Sequence, residues 1–334
     1  MDRVRIGVIG LGRFGEMHCQ ALAGIPEVEI AGLCTRDPDR LAAFSARYPA
    51  ARAFHNYRDL LASGACDAVS IVTMWRQHAE VAIAALDAGL HVFVEKPMAS
   101  TNEGCAAMIA ARNRSGKFGM VGQICRFNPR YAAARREIAA VGRIVSLYAR
   151  RNIPAAVSAQ VLPKIGPIAG DAVHDTDLML WFTGKRIVSA FAQTHSVRGL
   201  ANPDLAWTLY RFEDGAIGVI ENIWFLPEGT PYRIDERMEI VGTEGVITIQ
   251  ESGPGISVSG KDGWRAPDTT YWPLVGGGLR GGALRDELAY FARCVLDGRA
   301  PAVTTFEESA GAVRACLAAE ESARENRPIE IRPH

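Results

Sequence analysis

The sequence shows no excess of one charge, no long apolar run and no cysteine pattern. Its 37 Lys and Arg balance 37 Asp and Glu, so the formal net charge is zero. That excludes the basic footprint of a nucleic-acid binder and the Lys/Arg clustering of a membrane-surface protein. No window approaches the ~20 apolar residues of a membrane span. The N-terminus enters a strand almost at once, without a basic n-region, an apolar run or a cleavage site. Secretion is therefore not expected, and a cytoplasmic protein is. Seven cysteines (Cys19, Cys34, Cys66, Cys105, Cys125, Cys294 and Cys316) are scattered and odd in number, with no CxxC pair. Reduced thiols are the reading. No Cys/His cluster of zinc-site type is present, and no metal is expected.

What is present suits a two-domain α/β chain. A length of 334 residues allows about two domains at roughly 150 residues each. Apolar runs at 4–9, 28–34, 68–73, 91–94 and 118–121 read as buried parallel strands. Helical stretches lie between them, at 14–22, from Asp37-Pro38, at 76–88 and at 101–115. Asp37 is placed to cap its helix, with Pro38 in the first turn. This alternation predicts a doubly wound parallel sheet over 1–122. From 123 to 334 the pattern changes to alternating segments near 144–150, 187–195, 206–213, 216–225, 236–241 and 246–250. They predict an α+β domain with a large, mostly antiparallel sheet, and a sheet face left uncovered by its own helices suggests an oligomer interface. A helix at 171–183 interrupts it, and helices near 283–297 and 306–324 close the chain.

Gly10-Leu11-Gly12-Arg13-Phe14-Gly15 is a complete GxGxxG between a strand and a helix, the context such a motif requires. The first glycine makes the tight turn, the second lets backbone N–H groups approach a pyrophosphate, and the third lets helix and strand pack. The helix N-terminus adds partial positive charge. An acid at the end of the second strand would read a free ribose 2′-OH. That place holds Thr35, followed by Arg36, whose guanidinium suits a 2′-phosphate. NADP is favoured over NAD, with Asp37 as the reader and Arg36 stacked on adenine as the other possibility.

Glu95-Lys96-Pro97, after Ala88-Gly89-Leu90-His91-Val92, resembles the EKP motif of the Gfo/Idh/MocA oxidoreductases, relatives of glucose–fructose oxidoreductase and inositol dehydrogenase. The resemblance covers essentially the whole chain. Arg126-Phe127-Asn128-Pro129 is similar to the stretch that opens the second domain of that family. Arg151-Asn152 and His174-x-x-Asp177 match substrate-site elements of its inositol dehydrogenase-like members. The resemblance implies a catalytic group of Lys, His and Asp, and homodimers or homotetramers. Two positions depart from it. The Asp four residues before the His is Gly170 here, with Asp171 one place on. Thr73 is followed by Met74-Trp75 instead of Pro-Asn.

The chemistry agrees with the resemblance. Oxidising a secondary alcohol sends a hydride to nicotinamide C4 while a base removes the hydroxyl proton. Lys96 at the carboxyl edge of the sheet can orient the hydroxyl and stabilise alkoxide. His174 can take the proton. Asp171, His174 and Asp177, three apart, share one helix face. Asp171 either orients the histidine or caps the helix. The expected catalytic residues are Lys96, His174 and Asp171. Asn152, Asp177, Arg126 and Tyr232 are the expected substrate contacts. Cofactor contacts are expected from Gly10, Leu11, Gly12, Arg13, Phe14, Gly15, Thr35, Arg36, Thr73, Met74, Glu95, Lys96 and Gln123. The substrate expected is a sugar, a cyclitol or a sugar derivative. A nucleotide-sugar 3-dehydrogenase, a sugar reductase and a cofactor-sensing regulator are the alternatives.

Overall fold

The computed structural model describes residues 2–159, 164–230, 234–250, 255–261 and 263–332. In chain order the elements are β1 (Val4–Ile9), α1 (Arg13–Leu22), β2 (Val28–Cys34), α2 (Pro38–Arg47), β3 (Arg52–Phe54), α3 (Tyr57–Ala62), β4 (Ala68–Ile71), α4 (His78–Asp87), β5 (His91–Glu95), α5 (Asn102–Ser115) and β6 (Gly119–Gly122). Then come α6 (Pro129–Glu137), β7 (Ile144–Asn152), α7 (Ala155–Ala159), α8 (Val173–Thr183), β8 (Ile187–His195), β9 (Leu205–Phe212), β10 (Ile217–Ile223), β11 (Asp235–Gly242), β12 (Val246–Gln250), β13 (Val258–Gly260), β14 (Gly263–Arg265), α9 (Gly282–Leu296), α10 (Phe306–Glu325) and β15 (Ile329–Glu330). By contacts the chain forms two units. One is Met1–Phe127 with Thr270–Ala310, and the other is Asn128–Thr269 with Gly311–His334.

The first unit is a six-stranded sheet in the order β3-β2-β1-β4-β5-β6. Every pair in it is parallel. The order reverses between β1 and β4, the switch point at which such sheets bind ligands. The inner strands are mostly apolar because both faces are covered, with Arg5, Ser70, His91 and Glu95 as the polar positions. The run expected over 68–73 ends as a strand at Ile71, although the Val72 N–H still reaches Ile9 O at 2.8 Å. Caps punctuate the helices as their residue types predict. Asp37 accepts the Arg40 N–H at 3.0 Å, and Thr101 accepts that of Gly104 at 3.0 Å. The short β3 and α3 carry too few residues for a periodicity to register.

The second unit is built on a seven-stranded sheet, β12-β11-β7-β10-β9-β8-β15. Only β7 and β10 pair in parallel; the other pairs are antiparallel, so the sheet is mixed but mostly antiparallel. Its strands alternate. In β9, Ala206, Thr208, Tyr210 and Phe212 face the core, while Trp207 and Leu209 point outward, 42 % and 43 % exposed. The inner face receives α8, which Gly184 ends in the left-handed conformation at φ +61°. Among the described residues no helix is long and apolar enough to cross a membrane, and no disulfide joins the seven buried cysteines.

Candidate active site

In the first unit the glycine turn is shaped by what cannot fit beside it. Gly10 has φ +100°, and a Cβ on it would lie 2.5 Å from Val72 O. A Cβ on Gly15 would lie 1.9 Å from Gly10 O, so α1 descends directly onto the turn. Gly12 differs. The nearest heavy atom to its Cβ position is Arg40 Nη1 at 4.0 Å, which leaves the backbone open to an approaching phosphate. Leu11 is buried beneath the turn and Arg13 is exposed above it. The Phe14 ring packs against His18 and Trp272, at centroid distances of 5.1 and 5.8 Å.

At the end of β2, Thr35 Oγ1 accepts the Asp37 N–H at 3.3 Å. The Asp37 carboxylate caps α2 and pairs with Arg40 at 3.4 Å. Arg36 is exposed. Arg40, which sequence reasoning passed over, reaches back to donate to Leu11 O at 3.2 Å. The edge therefore carries two guanidiniums, and its carboxylate is already engaged.

The ends of β4, β5 and β6 hold the remaining expected cofactor residues. Thr73 Oγ1 and both amide atoms of Gln123 are buried without a hydrogen-bond partner. Such orphaned donors and acceptors at the carboxyl edge of a parallel sheet fit the polar end of a dinucleotide. Met74 is 44 % exposed beside them. Lys96 follows β5 and is half-buried. Its backbone is pinned on both sides. Its N–H donates to Glu95 Oε2 at 3.2 Å, and Pro97 O lies 2.8 Å from His78 Nδ1. His78 Nε2 stands 3.1 Å from Thr73 O, so one ring lies between both edge loops. Burial lowers the His78 pKa against the pull of the two carbonyls, and a neutral ring donates to only one of them. Glu95 turns inward. Its Oε1 accepts from His18 Nε2 at 3.1 Å, and His18 Nδ1 meets Ser70 Oγ at 2.9 Å. Arg126 is also in this unit, buried, with Nη1 on Glu308 Oε1 at 2.7 Å.

In the second unit, a π-helical turn over Ile168–Ala172 runs straight into α8. Such turns recur at functional sites. The position capping α8 is Ala172, and no side chain caps the helix, so the capping reading of Asp171 is corrected. His174 and Asp177 are buried on α8, with Asp171 half-buried before them. Gly170 is held to glycine by packing, since a Cβ there would lie 2.7 Å from the Trp224 ring. Between His174 and Asp177 sits Asp175, which the sequence did not single out. It is fully buried and takes both Nε and Nη2 of Arg151, at 3.1 and 3.0 Å. Arg151 Nη2 also reaches Glu236 at 2.9 Å. Burial outweighs this guanidinium and pushes Asp175 up to about 6. Asn152 is engaged within the sheet, donating to Glu221 at 2.6 Å and accepting the Ile223 N–H at 2.8 Å. Tyr232 lies outside the described residues. Asp175, His78 and Arg40 each reach a partner well away in sequence (Arg151, Pro97 and Leu11), and no local motif marks them.

Residues 4–123 match the family described as oxidoreductase family, NAD-binding Rossmann fold, and residues 131–248 match the GFO/IDH/MocA C-terminal domain. An inositol 2-dehydrogenase 2 of Saccharopolyspora erythraea is 33% identical over 252 residues, covering 74% of this chain and 73% of its own. An inositol 2-dehydrogenase of Acidothermus cellulolyticus is 30% identical over 337 residues, covering 99% and 95%. The crystal structure of scyllo-inositol dehydrogenase from Lactobacillus casei with bound NAD(H) and scyllo-inositol superimposes with a TM-score of 0.84 at 22% identity, covering 98% and 99%. That likeness is one of fold. With both of its domain types matched, and with two relatives at this level of identity, the chain belongs to the Gfo/Idh/MocA family of oxidoreductases.

Proposed function

We propose that the protein is a nicotinamide-dependent dehydrogenase of a ring secondary alcohol, with a cyclitol of the inositol kind as the first substrate to try. The observation that carries this reading is Lys96 at the carboxyl edge of the parallel sheet, its backbone held by Glu95 and His78. The names of the two inositol dehydrogenase relatives support the substrate class. The dinucleotide, when bound, supplies the hydride acceptor at nicotinamide C4. Lys96 orients the substrate hydroxyl and stabilises negative charge on its oxygen. His174 takes the hydroxyl proton, with Asp171 and Asp177 as the carboxylates on its helix face. Substrate contact is assigned to Asp177, and Arg126 and Asn152 to structural partners.

A panel of inositols, aldoses and nucleotide sugars, followed by absorbance of the reduced nicotinamide, tests the reading. Oxidation of a cyclitol is expected. Tight dinucleotide binding with no turnover across the panel would sink the reading and favour a sensor. Lys96→Ala is expected to lose about 10²–10³-fold in kcat and to keep its dinucleotide affinity. His174→Ala is expected to abolish the acid limb of the pH–rate profile.

For the cofactor, Arg36 and Arg40 at the end of β2, with Asp37 already engaged, favour NADP. The NAD-binding description of the matched family favours NAD. Parallel titrations decide between them. With NADP as the cofactor, Arg36→Ala weakens it about tenfold or more and leaves NAD binding in place. The exposed Trp207, Leu209 and Ile217 on the outer sheet face support a homodimer or homotetramer through that face. Light scattering that finds only a monomer removes this part of the reading.

A further inference from the structure

Helix α9 carries a carboxyl group that nothing around it satisfies. Glu287 is 0% exposed, and neither of its oxygens has a hydrogen-bond partner. An aromatic contact one turn along the helix fixes its surroundings. Phe291 meets Phe93 edge to face, with centroids 5.7 Å apart. Four residues back along α9 is Glu287, and two residues forward along β5 is Glu95. Each step stays on the same face as its aromatic ring, so the two carboxyls lie on the same side of the sheet.

That side already holds His18 and Ser70, and Glu95 is fully engaged there. Its Oε1 takes His18 Nε2, and its Oε2 takes the Lys96 N–H. Gly122 leaves room for it, since a Cβ there would stand 2.6 Å from Glu95 Oε1. Helix α1, the turn at 124–127 and β1 also pack on α9. On α1 the His18 ring lies against Phe93, 5.7 Å between centroids; the turn carries Cys125 and Arg126, and β1 carries the buried Ile6 and Val8. Arg126 is bound to Glu308 at 2.7 Å. Two adjacent carboxylates in so dry a place cannot both be ionised. Burial first, and Glu95 second, raise the Glu287 carboxyl well above the usual carboxylate range.

We propose that Glu287 is a positioning residue for Lys96: held as a neutral acid beside Glu95, it leaves Glu95 the one carboxylate there, which holds His18 and the Lys96 N–H in one geometry. The effect on catalysis rests on the function proposed above, while the protonation itself does not.

Glu287→Gln keeps the shape and a donor but cannot ionise. At neutral pH its kcat/KM is expected to match that of the unmodified enzyme. At alkaline pH the unmodified enzyme loses activity as Glu287 ionises, and in the variant this limb moves up by at least about one pH unit. Superimposable profiles would overturn the proposal. A second measurement needs neither turnover nor a substrate. The infrared C=O stretch of a neutral buried carboxylic acid is expected in the unmodified protein at neutral pH and disappears in Glu287→Gln. No such band in the unmodified protein overturns the proposal even where the enzyme turns over a cyclitol. A band present with no turnover on any substrate leaves the protonation established and fails the dehydrogenase reading alone.

Discussion

Each unit buries a group of acids, and the two groups are neutralised in different ways. In the second unit Asp175 and Glu236 flank one guanidinium, that of Arg151, at 2.9–3.1 Å. In the first unit Glu95 and Glu287 lie on one side of the sheet, no lysine or arginine among the described residues forms a salt bridge with either, and Glu95 is satisfied by a ring N–H and a backbone N–H. A guanidinium stays charged at any working pH, so the cation of the Arg151 cluster is permanent. A proton is exchangeable, so the Glu95 cluster can answer to pH. The permanent cation lies under α8, which carries His174, and the exchangeable one lies under Lys96.

The largest effect expected is from Arg151→Met. It leaves two buried carboxylates without their cation and costs about 3–5 kcal/mol, measured by urea unfolding at neutral pH. A loss below about 1 kcal/mol would mean that the acids are held by something other than the guanidinium. The Asp175 carboxyl comes next. Its folded value, about 6, lies above the ~3.9 of an unfolded aspartate. A raised carboxyl binds its proton more tightly when folded, so stability falls as pH rises from about 4 to about 6 and levels off beyond. Asp175→Asn should remove that slope, and unfolding midpoints at several pH values across the window would reveal it. An unchanged slope assigns the titration to another group. The smallest effect is from Ser70→Ala, which removes the hydroxyl beside His18 Nδ1. About 0.5–1.5 kcal/mol is expected, with the His18–Glu95 bond intact. A much larger loss would make the proton-neutralised cluster as tightly knotted as the other.

The two clusters also differ in how far the sequence reveals them. The glycine turn and Glu95-Lys96-Pro97 are legible because their chemistry is local: a turn, a strand end and a helix start within a few residues. Five of the six strands of the parallel sheet are legible for a similar reason, since apolar runs and capped helices repeat along it, while β3 is too short to register. The role of Glu287 is not legible. It sits in Leu284-Arg285-Asp286-Glu287-Leu288, where a helix can be read but the burial of this glutamate cannot. The Phe93–Phe291 contact puts it on the side of the sheet that holds Glu95. Arg151 and Asn152 could be picked out as candidates, but their engagement by Asp175, Glu236 and Glu221 depends on strand register. The pairing of β7 with β10 in parallel within a mostly antiparallel sheet has no signature in alternation alone. The π-helical turn before α8 is silent for the same reason, because one extra residue in a turn does not disturb an apolar pattern.

The contact between Gly170 and Trp224 also bears on how this chain can change. The family resemblance leads one to expect an acid at 170. A side chain there would run into an indole that is itself buried beside Ile153. A single substitution at 170 therefore arrives in occupied space, and trimming Trp224 alone opens a hole. Placing an acid there takes two coordinated changes, each unfavourable without the other. An acid at 170 is thus kept out by volume, and single substitutions would find it hard to introduce.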